Sequence, residues 1–573
     1  MTGSRSLADL LGEVALAARS AVALAREDPA HLAVQAARRC PTAWRRRASA
    51  LLRAGARPGT GRPVVAHWLA GHDDEARDAV AALVESGHLP RVVAEVAVLL
   101  DVDLTGVDLP TATRARALAR RGDLGGAIVA AGPDTRQGRR LASEIAVLAP
   151  GFELRTQPPD GETARPSGRA PRVLHLLTNS LPHTTSGYAV RSQAVLRAQA
   201  EAGLEVRAVT RPGYPVTVGR LARGRTDVVD GVTYARLLPR RLAPTAVGRL
   251  AQHLEEVRAV ARDWRPDVLQ TTTNYTGAVV TRALARELDV PWVYEVRGVL
   301  EDTWVASFPA ERRAAVRASE RYRLLRARET ELTRAADAVV VLGETVRDDL
   351  VERGVDPARI TVAPNAVDAE LLTRTTEPAA ASRALGLPTE GFWVGTVSSL
   401  VGYEGVATLI EAVALARAGG LDVRACVVGD GVARPELLRL VAELGLGGAV
   451  LLPGRVPPSE ATGWYEALDV VGVTRLDTEV TRTVVPLKPM AAMALGRPLI
   501  ASDLPALAEL VGRPGSGLLT APEDPRAVAE AIERLANDAA LRASLGRAGR
   551  AFAATRTWDA VGRTYRELVE AIA

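Results

Sequence analysis

The sequence predicts an α/β protein: two doubly wound units, each a mostly parallel sheet with helices on both faces, meeting across a cleft behind an all-α domain. Three observations predict it. From residue 172 onward, short and almost continuously apolar runs of strand length alternate with helical stretches, the pattern of parallel strands buried on both faces. The alternation restarts near residue 375, so it describes two units and not one. Ahead of both, Ala, Leu, Val and Arg recur with apolar positions every three or four residues and few strand-like alternations.

The chain has 573 residues, room for about three or four domains of ~150 each, and its 47% hydrophobic content can fill their cores. Lys+Arg 72 against Asp+Glu 67 leaves a net charge of only +5, too small a field to imply nucleic acid. Cys40 and Cys426 are too few and too far apart in sequence for a disulfide framework or zinc site, and both read as core residues in a reducing compartment. No run reaches the ~18 apolar residues of a spanning helix. Asp9 and Glu13 stand inside what would have to be the core of a signal peptide, so a cytoplasmic protein is expected.

In chain order, residues 1–150 form the all-α domain. The pieces around Leu69–Ala76 and Ala119–Ala127 each close a helix, turn at a glycine and an aspartate, and open another. They resemble the joint of tetratricopeptide-type repeats, without the regular spacing of about 34 residues. Such a stack binds a protein partner or merely packs on the next domain, and both readings stay open. Residues 151–170, GFELRTQPPDGETARPSGRA, keep no hydrophobic period and read as a linker. The first α/β unit, 171–370, takes strands from RVLHLLT (172–178), EVRAVT, VTYARLL, DVLQTTT, WVYEV, DAVVVLG and ITVAPN. Its helices are expected around 245–263, 277–288, in one long stretch Glu311–Ala335, and at 344–353. The second unit, 371–552, takes FWVGTV, VRACVVG, AVLLPG, VVGVT, PLIAS and SGLLT. A last helix, about Trp558–Ile572 within 553–573, has no strand after it.

Ligands of doubly wound sheets collect at the carboxyl ends of the strands, which directs attention to the loops there. Between Val473 and Asp503 the chain reads as strand, loop, helix, loop, strand; Pro489 stands in the first helical turn and Gly496 closes MAAMAL. Lys488 therefore begins the helix, where a cation meets the positive end of the backbone dipoles unless an anion lies between. A bound phosphate at Lys488 is the expectation, a solvated lysine the plain alternative. In the first unit Ser186 and Gly187 precede a helix, offering backbone N–H groups to a phosphate or carboxylate, though no Gly-x-Gly-x-x-Gly fingerprint is present. His183, in the same loop, reads as an exposed histidine. Glu295 and Arg297 end the strand WVYEV; Arg297 either holds a phosphate or sugar hydroxyl, or pairs with a glutamate to fix the loop. Ser399 follows FWVGTV, Asp430 and Gly431 follow VRACVVG, and Arg455 with Glu460 follows AVLLPG. Together these loops could wrap a nucleotide; singly, each is an ordinary strand-to-helix turn.

The ordered series PNAVD (364–368), VGTVSSLVGYEGVATLIEAVA, VVGDGVARPELLRLVAELGL, LLPGRVPPSE, PLKPMAAMALGRPLIASDLPALAELV and GLLTAPEDPRAVAEAIERL resembles the family-four retaining glycosyltransferases of GT-B fold, over about residues 170–573. The resemblance implies two Rossmann-like domains, an acceptor on the first, a nucleotide-diphosphate sugar as donor on the second, no metal or other cofactor, and a last helix crossing back. YEG (403–405), YEVR (294–297) and PLKP (486–489) look like the branch of exopolysaccharide and cell-surface glycan enzymes. The two glutamates that members usually carry against the donor fall on Thr483 and Ala491. The family's histidine after the WVYEV-type strand is Arg297, and its diphosphate-binding Arg and Lys fall near Ser399 and Glu404. The resemblance then leaves positive charge to Lys488, with Arg482 or Arg475, and makes Lys488 and Arg297 the catalytic residues.

The expected function is metal-independent hexosyl transfer with retention to a glycan, lipid-linked or small-molecule acceptor. A lipid-linked acceptor would bring the protein to the inner face of a membrane, with the basic helix around Arg312–Arg334 in contact unless that run is an ordinary solvated face. The missing glutamate pair keeps a second reading open: a GT-B sugar-nucleotide-binding scaffold acting through its helical domain.

Overall fold

The structure, a computed structural model, describes residues 7–27, 29–40, 42–55, 60–85, 89–158, 168–222 and 224–573. The apolar runs become strands where expected. β1 (Arg172–Leu177), β2 (Glu205–Thr210), β3 (Thr226–Val229), β4 (Val232–Arg236), β5 (Val268–Thr272), β6 (Trp292–Val296), β7 (Ala338–Val341) and β8 (Ile360–Val362) form one sheet in the order β3-β4-β2-β1-β5-β6-β7-β8. Every pair in it is parallel except β3 and β4. β3 is absent from the sequence reading; it joins β4 through Asp230 and Gly231, both at positive φ, an Asp-Gly hairpin signal that was there to be read.

The second sheet is wholly parallel: β9 (Phe392–Val397), β10 (Val423–Val428), β11 (Val450–Gly454), β12 (Val470–Val473), β13 (Leu499–Ser502) and β14 (Gly517–Thr520), in the order β11-β10-β9-β12-β13-β14. Its strand order reverses between β9 and β12, as the first sheet's does between β1 and β5. Those two reversals are the topological switch points at which such sheets hold ligands.

The helical stretch expected as one piece over Glu311–Ala335 is broken. Helices Ala310–Arg317 and Glu320–Ala335 meet at Ser319, whose hydroxyl caps the second by accepting from Tyr322 N–H, and a further helix, Leu300–Ala306, precedes them. Gly122 of the helical region packs against the break, so closely that a Cβ there would lie 2.3 Å from Ser319 Oγ.

Before β1 the only regular elements among the described residues are helices. Helices Arg62–Ala70 and Asp73–Glu85 join at Gly71, and Thr111–Arg121 and Leu124–Ala131 at Gly122, both glycines in the left-handed region. This region is built onto the first unit. Leu124 and Leu148 share a core with Leu325, and the Glu320 carboxylate accepts the N–H groups of Leu124 (2.9 Å) and Gly125 (2.8 Å).

The stretch read as a linker is not loose at its start. Leu154 is buried in the first unit's core with Phe152 packed against it, and Phe152 O accepts from Arg328; the middle of that stretch, 159–167, lies outside the described residues. Cys426 is buried, but Cys40 is exposed, correcting its reading as core. No helix among the described residues is long and apolar enough to cross a membrane.

Several contacts tie the two units. Val367 N donates to Arg556 O (3.0 Å) and Trp558 N to Val367 O (3.1 Å), where the chain passes between them. The last helix, Trp558–Ile572, then buries Val561, Tyr565 and Val569 against Val173, Val195 and Ala198 of the first unit. Finally, Glu509 of the second unit accepts the N–H groups of Glu344 (3.1 Å) and Thr345 (3.2 Å), so a helix of one unit takes its N-terminal cap from the other.

Candidate functional site

The site begins with backbone. Loops after β9 and β12 run side by side at the second unit's switch point, so tightly that a Cβ on Gly405 would lie 1.7 Å from Thr474 O, and Gly405 has φ +63°. Thr474 Oγ1 donates to Gly405 O (2.9 Å) and Leu476 N to Tyr403 O (3.0 Å), which fixes Glu404 between them. The β10 loop stacks on the same structure: a Cβ on Gly429 would fall 1.7 Å from Ser398 O, one on Gly431 2.1 Å from Leu400 O. Glycine is needed at these places for close approach. Gly405→Ala is therefore expected to cost about 2 kcal/mol or more of stability and to weaken donor binding, checked by urea unfolding and by titration with nucleotide sugars.

On this frame sit three charges. Lys488, first residue of the helix Lys488–Ala494, turns its ammonium onto Glu404 Oε2 (3.1 Å) and donates to Ser398 Oγ. Arg475, at the end of β12, donates to the other Glu404 oxygen (3.0 Å) and to Val484 O (2.8 Å). The conflict of a lysine at a helix start is thus met by the protein's own carboxylate, which corrects the inference that it needs a bound phosphate.

Burial pushes the Glu404 carboxyl up, but Arg475 and Lys488 outweigh it and hold it below the ordinary range. Burial lowers the Lys488 pKa, Glu404 opposes that, and Arg475 adds to it. Glu404→Gln should then move the alkaline limb of a kcat/KM profile to lower pH, because the buried ammonium loses the anion that keeps it charged. A limb that stays in place would disconnect Glu404 from Lys488.

In the first unit, Glu295 lies fully buried at the end of β6. It accepts from Arg191 Nε (2.9 Å), from Arg297 (2.8 Å) and from Gln270 (3.3 Å). Against its burial, Arg297 and Arg191 hold its pKa at about 2. Arg297 also donates to Tyr188 O (3.0 Å) and Ser192 Oγ (2.7 Å) and is itself buried. Of the two readings of Arg297, the geometry is that of the ion pair. Its contacts reach the helix that Ser186 caps, where Gly187 has open space on its Cβ side. Arg191 passes the network onward to Asn365 Oδ1 (3.0 Å), and Asn365 donates to Val485 O (3.1 Å), shortly before Lys488 in the chain.

The remaining sequence candidates separate. Ser399, Asp430 and Gly431 belong to the stacked loops beside Ser398, with Leu400 N donating to Asp430 O (3.1 Å). Arg455 and Glu460 are exposed on the neighbouring loop. Arg482 is not beside Lys488: its guanidinium is held by Asp477 at 2.5 and 2.7 Å. Thr483 Oγ1 donates back to Glu479 O (3.0 Å). Both stand on the short helix Glu479–Thr483, which separates two inter-unit cavities. One, about 510 Å³, has Thr483, Thr345, Asp348, Glu509 and Arg513 in its wall; the other, about 280 Å³, has Asp302, Arg313, Arg317, Asp477, Glu479 and Arg482.

His183 is corrected: its side chain is only 7% exposed, and Nε2 lies 2.9 Å from Asp227 on the unread strand β3. Glu404 is the functional candidate that the sequence reading named without seeing its role.

Two family descriptions match the chain, "Glycosyl transferase 4-like domain" over residues 186–366 and "Glycosyl transferases group 1" over 391–538. A D-inositol 3-phosphate glycosyltransferase of Corynebacterium urealyticum is 32% identical over 42% of this chain and 58% of its own length. The match thus spans little more than half of that relative. A 2-deoxystreptamine glucosyltransferase of Streptomyces kanamyceticus is 30% identical over 62% of this chain and 90% of its own. Among solved structures, HepE of Anabaena in complex with UDP superposes over 70% of this chain and 100% of its own, with a TM-score of 0.55 and 19% identity. Sucrose-phosphate synthase of Thermosynechococcus elongatus does so over the same shares, with 0.58 and 22%. At those identities the likeness concerns the GT-B fold.

Proposed function

The chain belongs to the group 1, family-four glycosyltransferases, and we propose that within them it moves a hexosyl group with retention from a nucleotide-diphosphate sugar to a glycan, lipid-linked or small-molecule acceptor. The observation that carries this is the Lys488–Glu404–Arg475 cluster. Two cations and one anion leave it net positive, at the switch point where a doubly wound sheet takes its ligand.

As the bond from the anomeric carbon to the donor's phosphate breaks, charge grows on the diphosphate, and Lys488 and Arg475 stabilise it. Charge already in place, and needing no reorganisation, is commonly the largest catalytic contribution. The acceptor hydroxyl enters on the face the phosphate leaves, and its proton passes to that phosphate. No side-chain base is required, and no metal is called on. Ser399, Asp430, Gly431, Arg455 and Glu460 frame the nucleotide, and Thr483 and Arg482, in the walls of the inter-unit cavities, are offered to the substrates. Arg297, buried in its ion pair, acts as a positioning residue for the Ser186–Gly187 helix start.

The domain division that goes with this reading is helical to about 150, acceptor-binding to about 370, donor-binding to about 552, and a returning helix. Two relatives act, by their names, on cyclitols, which fits a polyhydroxyl acceptor. The chain's own motifs fit the cell-surface glycan branch. The test is a thermal-shift screen with nucleoside diphosphates and their sugars, followed by donor-hydrolysis and transfer assays on those that bind. Selective stabilisation by one nucleotide sugar, with turnover, is the expected result. Binding without turnover would leave a scaffold, and no binding would remove the donor site.

A further inference from the structure

We propose that the helix Thr42–Ala54 is a docking face for an anionic lipid surface. The sequence around it is unlike the rest of the chain. From Pro29 to His72 there are eight arginines and no Asp or Glu, so everything outside this stretch holds 64 basic residues against 67 acidic. The positive charge of the protein is concentrated here.

The helix then sorts that charge by face. At about 100° per residue, Trp44, Arg46, Arg47, Leu51 and Arg53 fall on one half of the helix, and Arg45, Ser49 and Leu52 on the other. The second half packs inward: Ser49 is fully buried and Arg45 Nε donates to Leu69 O (3.2 Å) on the neighbouring helix. The first half faces solvent: Trp44 (67% exposed) and Leu51 (78%) run along one edge of it with Arg47 next to them, and Arg46 and Arg53 line the other edge, all three arginines exposed. The helix Leu7–Glu27 of the same region carries an outward apolar stripe of its own at helical spacing, Leu11, Val14 and Val22.

A bilayer with anionic headgroups satisfies both demands of this face at once. Phosphates meet the arginines, while Trp44 and Leu51 enter the boundary with the acyl chains, the arrangement of helices that lie in a membrane interface. Nucleic acid would meet the arginines and leave Leu51 in water. The basic helices around Arg312–Arg334 do not offer the same surface. Arg317 pairs with Glu479, Arg321 with Glu144, and Arg328 with Glu331, while Arg312 lies 3.7 Å from Asp101.

The test is flotation of the full chain with vesicles of phosphatidylcholine alone, or with about 30% phosphatidylglycerol, at low salt. The readout needs no catalysis, so it stands or falls apart from the sugar-transfer reading. Binding to the phosphatidylglycerol vesicles alone is expected. It should weaken about a hundredfold in Arg46→Ser/Arg47→Ser/Arg53→Ser and at least about tenfold in Trp44→Ser/Leu51→Ser. Val129→Ser, at an exposed position elsewhere on the helical region, should bind as the parent does. Absence of vesicle binding overturns the proposal. So does a Trp44→Ser/Leu51→Ser variant that floats undiminished, since a surface read by its arginines alone would serve an acidic protein or another polyanion.

Discussion

Lys488→Ala is expected to lower kcat/KM at least about a hundredfold, a loss of ~3 kcal/mol or more in transition-state stabilisation, measured by steady-state kinetics with the best donor from the nucleotide-sugar screen. The expectation follows from the charges left behind. In the parent protein Glu404 is shared by Lys488 (3.1 Å) and Arg475 (3.0 Å), and the cluster presents one net positive charge to a diphosphate. Without the ammonium the carboxylate just neutralises Arg475, and a dianionic leaving group would meet no net attraction. The backbone beside Glu404 is pinned through Gly405 and Thr474, and Arg475 keeps its hold on the carboxylate. Lys488→Arg should recover little, because a planar guanidinium cannot replace a point charge in contact with both Ser398 and Glu404. Turnover within about threefold of the parent in Lys488→Ala would place the reacting phosphate elsewhere.

What could be read from sequence was what neighbours along the chain decide. β1, β6 and β9 announce themselves because both faces are buried and the apolar run is nearly unbroken. The helix carrying Lys488 is bounded locally, by Pro489 at its start and Gly496 after its end. β3 escaped because it is an edge strand, with Val228 66% exposed, and without it nothing suggested a partner for His183. The break at Ser319 was legible locally, as a serine N-cap followed by Glu320, and was passed over because the apolar spacing runs on across it. Glu404 was legible as a residue and illegible as a partner of Lys488, since a short turn at Gly402–Glu404 brings it there only once two strand ends lie side by side. Fold, in short, is written in local periodicity, whereas the charge balance of the site depends on tertiary adjacency.

The second large effect concerns stability. Glu295→Gln is expected to destabilise the protein by about 3–5 kcal/mol, because removing one member of a buried ionic group strands the others. Arg191 and Arg297 would both remain, each almost wholly buried, facing a neutral amide. The pH dependence identifies the cause. Glu295 is held at about 2 in the folded protein against an ordinary 4.5, so folding favours its ionised form. That contribution is fully present above about 4.5 and fades as pH falls toward 2. Glu329 behaves in the opposite sense: burial raises it to about 7, despite hydrogen bonds from Tyr294 Oη and Tyr275 N, so its contribution is complete below 4.5 and fades as pH rises through 7. Since Glu329 is common to both proteins, it cancels in the difference between parent and variant. Urea unfolding at pH 7 and at pH 3 should therefore show the gap between parent and Glu295→Gln narrowing at the lower pH. A gap that is constant with pH would mean the amide fails by shape and not by charge. The same substitution should also reduce turnover, since Arg191 runs from Glu295 to Asn365 and Asn365 holds Val485 ahead of Lys488. Loss of stability with turnover intact would show that this buried network supports the fold alone.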